Sequence, residues 1–377
     1  MKYFIIAGEA SGDLHAANLM KALLKKDKQA EFLFLGGDLM KAVSHKEPLI
    51  HYKKMAFMGV IDVLKNIKTI YRNFKKTKKA LIAFKPDSVI LVDYPGFNLK
   101  IAAFAHKKGY KTTYYISPKL WAWKEGRVKK IKKYVDQLLV ILPFETDFYK
   151  KHGIEATYVG NPVVDAVKNH QGKSRKEFLH QNKLKDKPVI ALLPGSRRQE
   201  LKMILPGMLK IIKKFPGYQF VISGAPSFKP EDYRRWLKNY PDIPVVFNQT
   251  YDLLQHSHSA VVTSGTAALE TALFKVPQVV VYKTHNWQYA IGKHLVKIDF
   301  FSLPNLIMQR PIIPELLQHE FNTQNLTKHL KALNKGPERE QCLKDYEELE
   351  NLLGKEPVSE KVANEIVAFI KKQKPAN

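Results

Sequence analysis

Short apolar runs recur along this chain and alternate with stretches whose apolar positions return at helical spacing. The runs Tyr3–Ala7, Glu31–Leu35, Ser88–Val92, Thr112–Ile116 and Gln137–Leu142 predict strands. Leu14–Lys26, Val60–Phe84, Ile101–Lys108 and Gly126–Tyr134 predict the helices between them. Strict β-α alternation argues for a parallel, doubly wound sheet. After the polar, charged segment Gly160–Lys187 the pattern restarts, with strands expected at Val189–Leu193, Gln219–Ser223, Val245–Phe247, Ala260–Val262 and Gln278–Val281. The chain therefore reads as an α/β protein of two Rossmann-like halves, 1–165 and 166–337. The tail, 338–377, reads as a pair of charged amphipathic helices that pack back on the N-terminal domain or on a partner subunit. Two such halves facing each other make a central cleft, and ligands of open α/β sheets sit outside the carboxyl ends of the strands.

The candidate chemistry falls at those carboxyl ends. After the first strand comes Gly8-Glu9-Ala10-Ser11-Gly12-Asp13. Its small residues let a ligand approach the backbone, and the next helix offers free N–H groups to an anion. Asp13 can equally be a helix cap. The spacing is not GxGxxG, which disfavours a dinucleotide-dependent dehydrogenase. Asp93, directly after a buried strand and before Tyr94-Pro95-Gly96, can accept a proton from a substrate hydroxyl or can cap the following helix. In Ser117–Glu145, Trp121 and Trp123 stand one residue apart beside Arg127, either as a binding surface or as a cap on a strand end.

In the second half, Gly195-Ser196-Arg197 opens a helix, and an arginine with backbone N–H groups suits a diphosphate. Ser264-Gly265-Thr266 ends a strand in small residues at another helix start, and Glu270 lies one turn on, where it can accept hydrogen bonds from a ribose or serve the helix dipole. Asn305 follows Pro304 in an apolar context, as a fixed polar group or a loop turn. Two anion cradles with an acid nearby suggest a nucleoside diphosphate.

Composition narrows the partners. At 377 residues and 45% hydrophobic the chain can fill two cores, and its formal charge of +27 asks for an anionic partner. Between Val63 and Pro86 there are eight basic residues and no acid. Lys75, Lys76, Lys78 and Lys79 are interleaved there with Ile67, Ile70, Tyr71 and Phe74, just after the apolar Met55–Val60. A basic amphipathic helix of this kind suits an anionic membrane surface, or it is a solvated helix with its apolar stripe inward. No apolar run approaches the roughly 18 residues of a membrane span, and the N-terminus reads as a strand, not a signal peptide. The single cysteine, Cys342, cannot form an intrachain disulfide, which fits a reducing cytoplasm; no Cys/His cluster has zinc spacing.

The chain resembles lipid-A-disaccharide synthase, an inverting glycosyltransferase family of Gram-negative lipid A biosynthesis. The blocks that carry the resemblance are Ala7–Asp13, Ser117–Ile131, Leu142–Glu145, Val159–Ala166, Leu192–Glu200, Ser264–Glu270 and Leu295–Leu306, in the family's order and over nearly the whole length. The resemblance implies the GT-B fold and a reaction needing no metal or cofactor. Its substrates would be UDP-2,3-diacylglucosamine and the 6-hydroxyl of 2,3-diacylglucosamine 1-phosphate (lipid X), at the inner face of the inner membrane.

It implies Asp93 as the candidate base and Arg197 on the UDP diphosphate. Ser264, Gly265, Thr266, Glu270 and Asn305 fall to nucleotide binding, and Glu9, Ser11, Gly12, Asp13, Trp121, Trp123 and Arg127 to the acceptor side. It leaves room for a homodimer. The chain departs from the family where many members carry a second Asp, since Gly96 stands there, and where a His is common, since Asn161 stands there. Competing readings are a UDP-GlcNAc epimerase, an undecaprenyl-linked GlcNAc transferase, and a nucleic-acid-binding protein. Against the last, the lysines are spread through both halves and no nucleic-acid motif appears.

Overall fold

The computed structural model describes residues 1–55, 66–123, 125–295 and 298–373. The expected helix start at 60–65, the apolar segment at 56–60, Lys65 and Lys124 lie outside them. Contacts divide the chain into two compact units, Met1–Pro162 with Glu356–Asn377, and Val163–Lys355.

Among the described residues the first unit holds seven strands: β1 (Lys2–Ala7), β2 (Glu31–Gly36), β3 (Ile50–His51), β4 (Ser88–Val92), β5 (Thr112–Tyr115), β6 (Gln137–Val140) and β7 (Thr157–Tyr158). They pair in parallel in the order β3-β2-β1-β4-β5-β6-β7. The helices are α1 (Ala10–Lys26), α2 (Asp38–Ser44), α3 (Ile67–Phe84), α4 (Pro95–Lys107), α5 (Val128–Tyr134) and α6 (Glu145–Lys151).

A strand with both faces covered is mostly apolar, and β1 from Tyr3 on and β4 from Val89 on are. Their alternation still sorts the side chains: Tyr3, Ile5 and Ala7 join a core with α1, while Phe4 and Ile6 join another with Leu81, Leu99, Val128 and Ile131.

The second unit holds β8 (Val189–Leu193), β9 (Gln219–Gly224), β10 (Val245–Phe247), β11 (Ser257–Thr263), β12 (Gln278–Tyr282) and β13 (Glu315–Leu317), parallel in the order β10-β9-β8-β11-β12-β13. Before, between and after them run α7 (Pro162–Lys168), α8 (Arg175–Gln181), α9 (Arg198–Leu209), α10 (Pro230–Leu237), α11 (Thr250–Gln255), α12 (Thr266–Leu273), α13 (Asn286–Leu295), α14 (Leu303–Met308), α15 (Thr323–Asn334) and α16 (Pro337–Leu353).

In both sheets the chain winds outward in one direction, then returns to the other side of its first strand. The switch points lie between β1 and β4, with Ala7 opposite Val92, and between β8 and β11, with Leu193 opposite Val262. Loops following these strands leave the same sheet edge side by side.

The tail does not stay together. Helix α16 buries Cys342, Tyr346 and Leu349 and is tied into the second unit by Lys275–Glu350 at 2.8 Å and Arg310–Asp345 at 3.0 Å. Gly336 and Gly354, both at positive φ, bound it. Helix α17 (Val358–Gln373) returns to the first unit, where Val358, Val362, Ala363, Ile366 and Ile370 complete the core over α1. The two helices carry different apolar stripes, and each stripe is covered by a different sheet's helices. Ile366 is fully buried. Ile366→Ala should cost about 2–5 kcal/mol, read as a lower urea midpoint; an unchanged midpoint would show that α17 adds nothing to the first unit's core.

Candidate active site

Asp93 follows β4 and lines a cavity of about 220 Å³ with Ser117, Lys119, Trp123, Arg127 and Glu145. The chain enters this cavity through left-handed backbone at three residues that are not glycine: Asp93 (φ 46°), Tyr94 (φ 49°) and Ile116 (φ 60°). Such conformations cluster at functional sites because surrounding structure has to hold them. Burial raises the pKa of Asp93, and the like charge of Glu9 raises it further; the Tyr94 N–H and Lys119 act the other way. Glu9 reaches it because β1 and β4 are neighbours. Gly8 lets the Tyr94 ring close over the backbone, since a Cβ there would come within 2.2 Å of the ring.

The two tryptophans have different places. Trp121 is turned into the protein, with its Nε1 donating to Glu145 at 3.2 Å and its ring edge-on to Phe144. Trp123 is 48% exposed and lines the cavity. Glu145, 1% exposed, accepts from Ser117 Oγ at 2.8 Å and from the N–H groups of Ile141 and Leu142 at 3.2 and 3.0 Å. Burial pushes its carboxyl up, and these donors oppose the shift. Glu145 thus fastens the tryptophan loop to the end of β6. The motif Leu142–Glu145 carried this residue in the sequence, but only the fold shows what it holds.

The loop after β1 is less open than its small residues suggested. Asp13 is buried and caps α2, accepting from Gly37 N at 2.7 Å, Leu39 N at 3.1 Å and Met40 N at 3.3 Å. It is a cap, for a helix other than its own. Gly12 packs against Ala7, and Ser11 is exposed.

In the second unit, Arg197 lines a cavity of about 700 Å³ with Gln199, Glu200, Tyr282, Gln288 and Phe301. Tyr282 lies 6.0 Å from the Phe301 ring and tilted 32° to it, and Tyr289 lies 6.4 Å away, stacked at 25°. Gln199 donates to Thr284 Oγ1 at 3.2 Å and to Gln288 Oε1 at 2.7 Å. Sequence reasoning passed over Tyr282, although it too stands at the carboxyl end of a strand.

The anion cradle expected at Gly195–Ser196 is already occupied. Glu200 Oε2 accepts from Ser196 N at 2.9 Å and Arg197 N at 3.1 Å, while its Oε1 meets the Arg197 guanidinium at 2.8 Å. Gly195, at φ 102°, leaves room for that carboxylate. The Arg197 side chain itself remains largely exposed.

At the other helix start, Ser264 Oγ donates to Phe301 O at 2.6 Å, tying the Ser264–Thr266 turn to the cavity wall; Gly265 and Thr266 are exposed. Glu270 accepts from Tyr251 at 2.9 Å and has its carboxyl raised by burial. It does not line the Arg197 cavity. Asn305 is buried, 1% exposed. Its amide donates to Ile313 O and Glu315 Oε1, and its oxygen accepts from the N–H groups of Ile312 and Ile313. It holds the loop before β13, and Glu315, where that strand begins, accepts from Phe301 N at 2.8 Å. Among the described residues no group of three His, Cys, Asp or Glu side chains is placed to hold a metal ion.

The basic helix α3 turns Ile67 (57% exposed), Tyr71 (74%), Lys75 and Lys79 outward. Lys76 donates to Leu49 O at 2.9 Å, and Lys78 lies over the rings of Phe74 and Phe104 at 4.8 and 4.9 Å. Among the described residues no helix is long and apolar enough to cross a membrane.

Solved structures share this architecture. UDP-GlcNAc 2-epimerase from Neisseria meningitidis, bound to UDP-GlcNAc, superposes with a TM-score of 0.68 at 16% identity, covering 99% of this chain and all of that one. The calicheamicin glycosyltransferase CalG4 gives a TM-score of 0.63 at 13% identity, covering 99% of both. These likenesses establish the GT-B fold. Sequence goes further. The profile of the lipid-A-disaccharide synthetase family matches residues 3–369. Lipid-A-disaccharide synthases from Geobacter metallireducens (34% identical, 99% of this chain and 98% of the relative) and Myxococcus xanthus (36%, 98% and 97%) match end to end. The one from Coxiella burnetii is 38% identical over 85% of each chain. The protein is thus a GT-B glycosyltransferase. It belongs to the lipid-A-disaccharide synthetase family.

Proposed function

We propose that this chain transfers 2,3-diacylglucosamine from UDP-2,3-diacylglucosamine to the 6-hydroxyl of 2,3-diacylglucosamine 1-phosphate, with inversion. The products are the β-1,6-linked disaccharide 1-phosphate and UDP. Asp93 takes the proton of the 6-hydroxyl as its oxygen bonds to C1 of the donor sugar, while the bond from C1 to the diphosphate oxygen breaks and its electron pair leaves with UDP. Arg197 and the N-terminus of α12 at Gly265–Thr266 receive the charge that gathers on the diphosphate. Tyr282 and Phe301 offer flat apolar surface to the rest of the donor. On the acceptor side, Trp123, Lys119 and Arg127 offer an apolar face and two cations to a phosphorylated sugar.

The single observation that carries this reading is Asp93. It is a carboxylate with a raised pKa, held on left-handed backbone in a cavity with two cations, in a chain of this family. The exposed face of α3, with Ile67 and Tyr71 beside Lys75 and Lys79, suits the surface of an anionic membrane where both acylated substrates reside.

Incubated with radiolabelled UDP-2,3-diacylglucosamine and lipid X, the purified protein should yield labelled disaccharide 1-phosphate. No disaccharide would refute the assignment. A base must be ionised to act, so kcat/KM should fall as pH drops through the Asp93 pKa, at a higher pH than for an ordinary carboxylate. Glu9→Gln removes the like charge that raises this pKa. The acid limb should therefore move to lower pH; an unmoved limb would deny that Glu9 acts on the titrating base. Reversing charge at Lys75 and Lys79 should weaken sedimentation with anionic phosphatidylglycerol vesicles, most clearly at low salt. Equal binding by the variant would remove α3 as the membrane face.

A further inference from the structure

The backbone at Asp93 does what a residue bearing a Cβ resists. β4 ends at Val92, and the next two residues, Asp93 and Tyr94, both take left-handed φ, 46° and 49°. Something must hold them there. Asp93 N–H donates to Tyr115 O at 3.1 Å, which extends the β4–β5 ladder by one bond. The Asp93 carbonyl oxygen then receives two side-chain donors at once, Asn98 Nδ2 at 2.7 Å and the Tyr114 hydroxyl at 2.7 Å.

Both donors are fully buried, Tyr114 on a strand of the sheet and Asn98 in the helix that the turn opens. Tyr114 stands on β5 opposite Leu91. Asn98 lies in the first turn of α4, where its N–H donates to Tyr94 O at 3.1 Å and its Nδ2 also reaches Val92 O at 3.2 Å. A carbonyl oxygen has two lone pairs, and here each is met by a donor from a different element. Neither Tyr114 nor Asn98 lines the cavity, so neither is placed to touch a substrate.

We propose that Tyr114 and Asn98 are positioning residues for Asp93: by gripping its carbonyl oxygen from β5 and α4, they hold the left-handed turn that keeps its carboxylate at the cavity. This rests on the reading of Asp93 as the proton acceptor. The turn needs both donors, so loss of either already frees it and loss of the second adds little; the two substitutions act on one carbonyl and are not additive. A carboxylate displaced by a fraction of an ångström is a poorer base even when substrates still bind. Released toward water it is also a more ordinary acid, because burial is the larger cause of its raised pKa.

The test uses the full-length protein carrying Tyr114→Phe, Asn98→Ala, both together, or Asp93→Asn, assayed with the labelled donor and lipid X across pH and melted in parallel. Tyr114→Phe keeps the ring and removes only the hydroxyl, so it decides the matter if Asn98→Ala fails to fold. The expected result is a fall in kcat of about 10- to 100-fold for each single variant, with the acceptor KM within about threefold. The acid limb should shift to lower pH, and the double variant should lose less than the product of the two.

If Asp93→Asn is inactive while folded Tyr114→Phe keeps wild-type kcat and acid limb, the positioning role is overturned and the base reading stands. A fall in kcat that tracks the melting temperature with an unmoved limb also overturns it, since that is the signature of general destabilisation. If Asp93→Asn retains wild-type kcat, the base reading itself fails, and the positioning role fails with it.

Discussion

One parallel ladder in each sheet carries everything else: β1 against β4 in the first unit and β8 against β11 in the second. These strands are buried on both faces, so a slip of one residue would exchange every side chain between two cores and is strongly disfavoured. With Ala7 opposite Val92, the loop holding Glu9 and the turn holding Asp93 leave the sheet together. That is why a glutamate more than eighty positions away in the chain helps set the proton affinity of an aspartate. With Leu193 opposite Val262, Arg197 and Ser264 likewise follow neighbouring strands.

Around these ladders much of the polar chemistry is consumed in holding loops. Asp13 caps α2, Glu145 fastens the tryptophan loop, Glu200 closes the start of α9, and Asn305 with Glu315 knots the loop before β13. A buried carboxylate is costly unless several donors meet it, and Asp13 and Glu145 each accept at least three hydrogen bonds. Asp93, Lys119, Trp123 and Arg127 are among the groups that line the cavity of one unit, and Arg197, Tyr282 and Phe301 among those that line the cavity of the other. Cavity-lining groups set on loops held in this way are pre-organised.

The fold was legible where strands were long and apolar. All ten strands expected from the sequence are present, because a run such as Ser88–Val92 or Val189–Leu193 has no other stable home than the middle of a covered sheet. The strands that escaped notice are β3, β7 and β13, two or three residues each and only partly buried, too short for any periodicity to register. Helix α4 begins at Pro95, ahead of the expected Ile101, since Pro95 pre-sets the first turn while Gly96 and Asn98 obscure the apolar spacing. The tail read as one pair of helices, but which sheet covers each apolar stripe is not written in the stripe.

The sequence by itself determined the two-sheet architecture, the placement of candidate motifs at strand carboxyl ends, and the family. Each rests on local pattern or on residue identity in order. Only the tertiary structure decided which polar residues hold loops and which line cavities. Asp13, Trp121 and Asn305 read as ligand groups as readily as Asp93, Trp123 and Arg197 did. What separates them is where the folded chain puts them: Asp13 and Asn305 are buried and bonded to distant segments and Trp121 is bonded to Glu145, whereas Asp93, Trp123 and Arg197 line cavities. That is a matter of three-dimensional hydrogen-bond accounting, to which no window of sequence has access. The segment Ser117–Glu145 shows it most plainly: one tryptophan is bonded to a glutamate at its far end, and its neighbour two positions on lines the cavity.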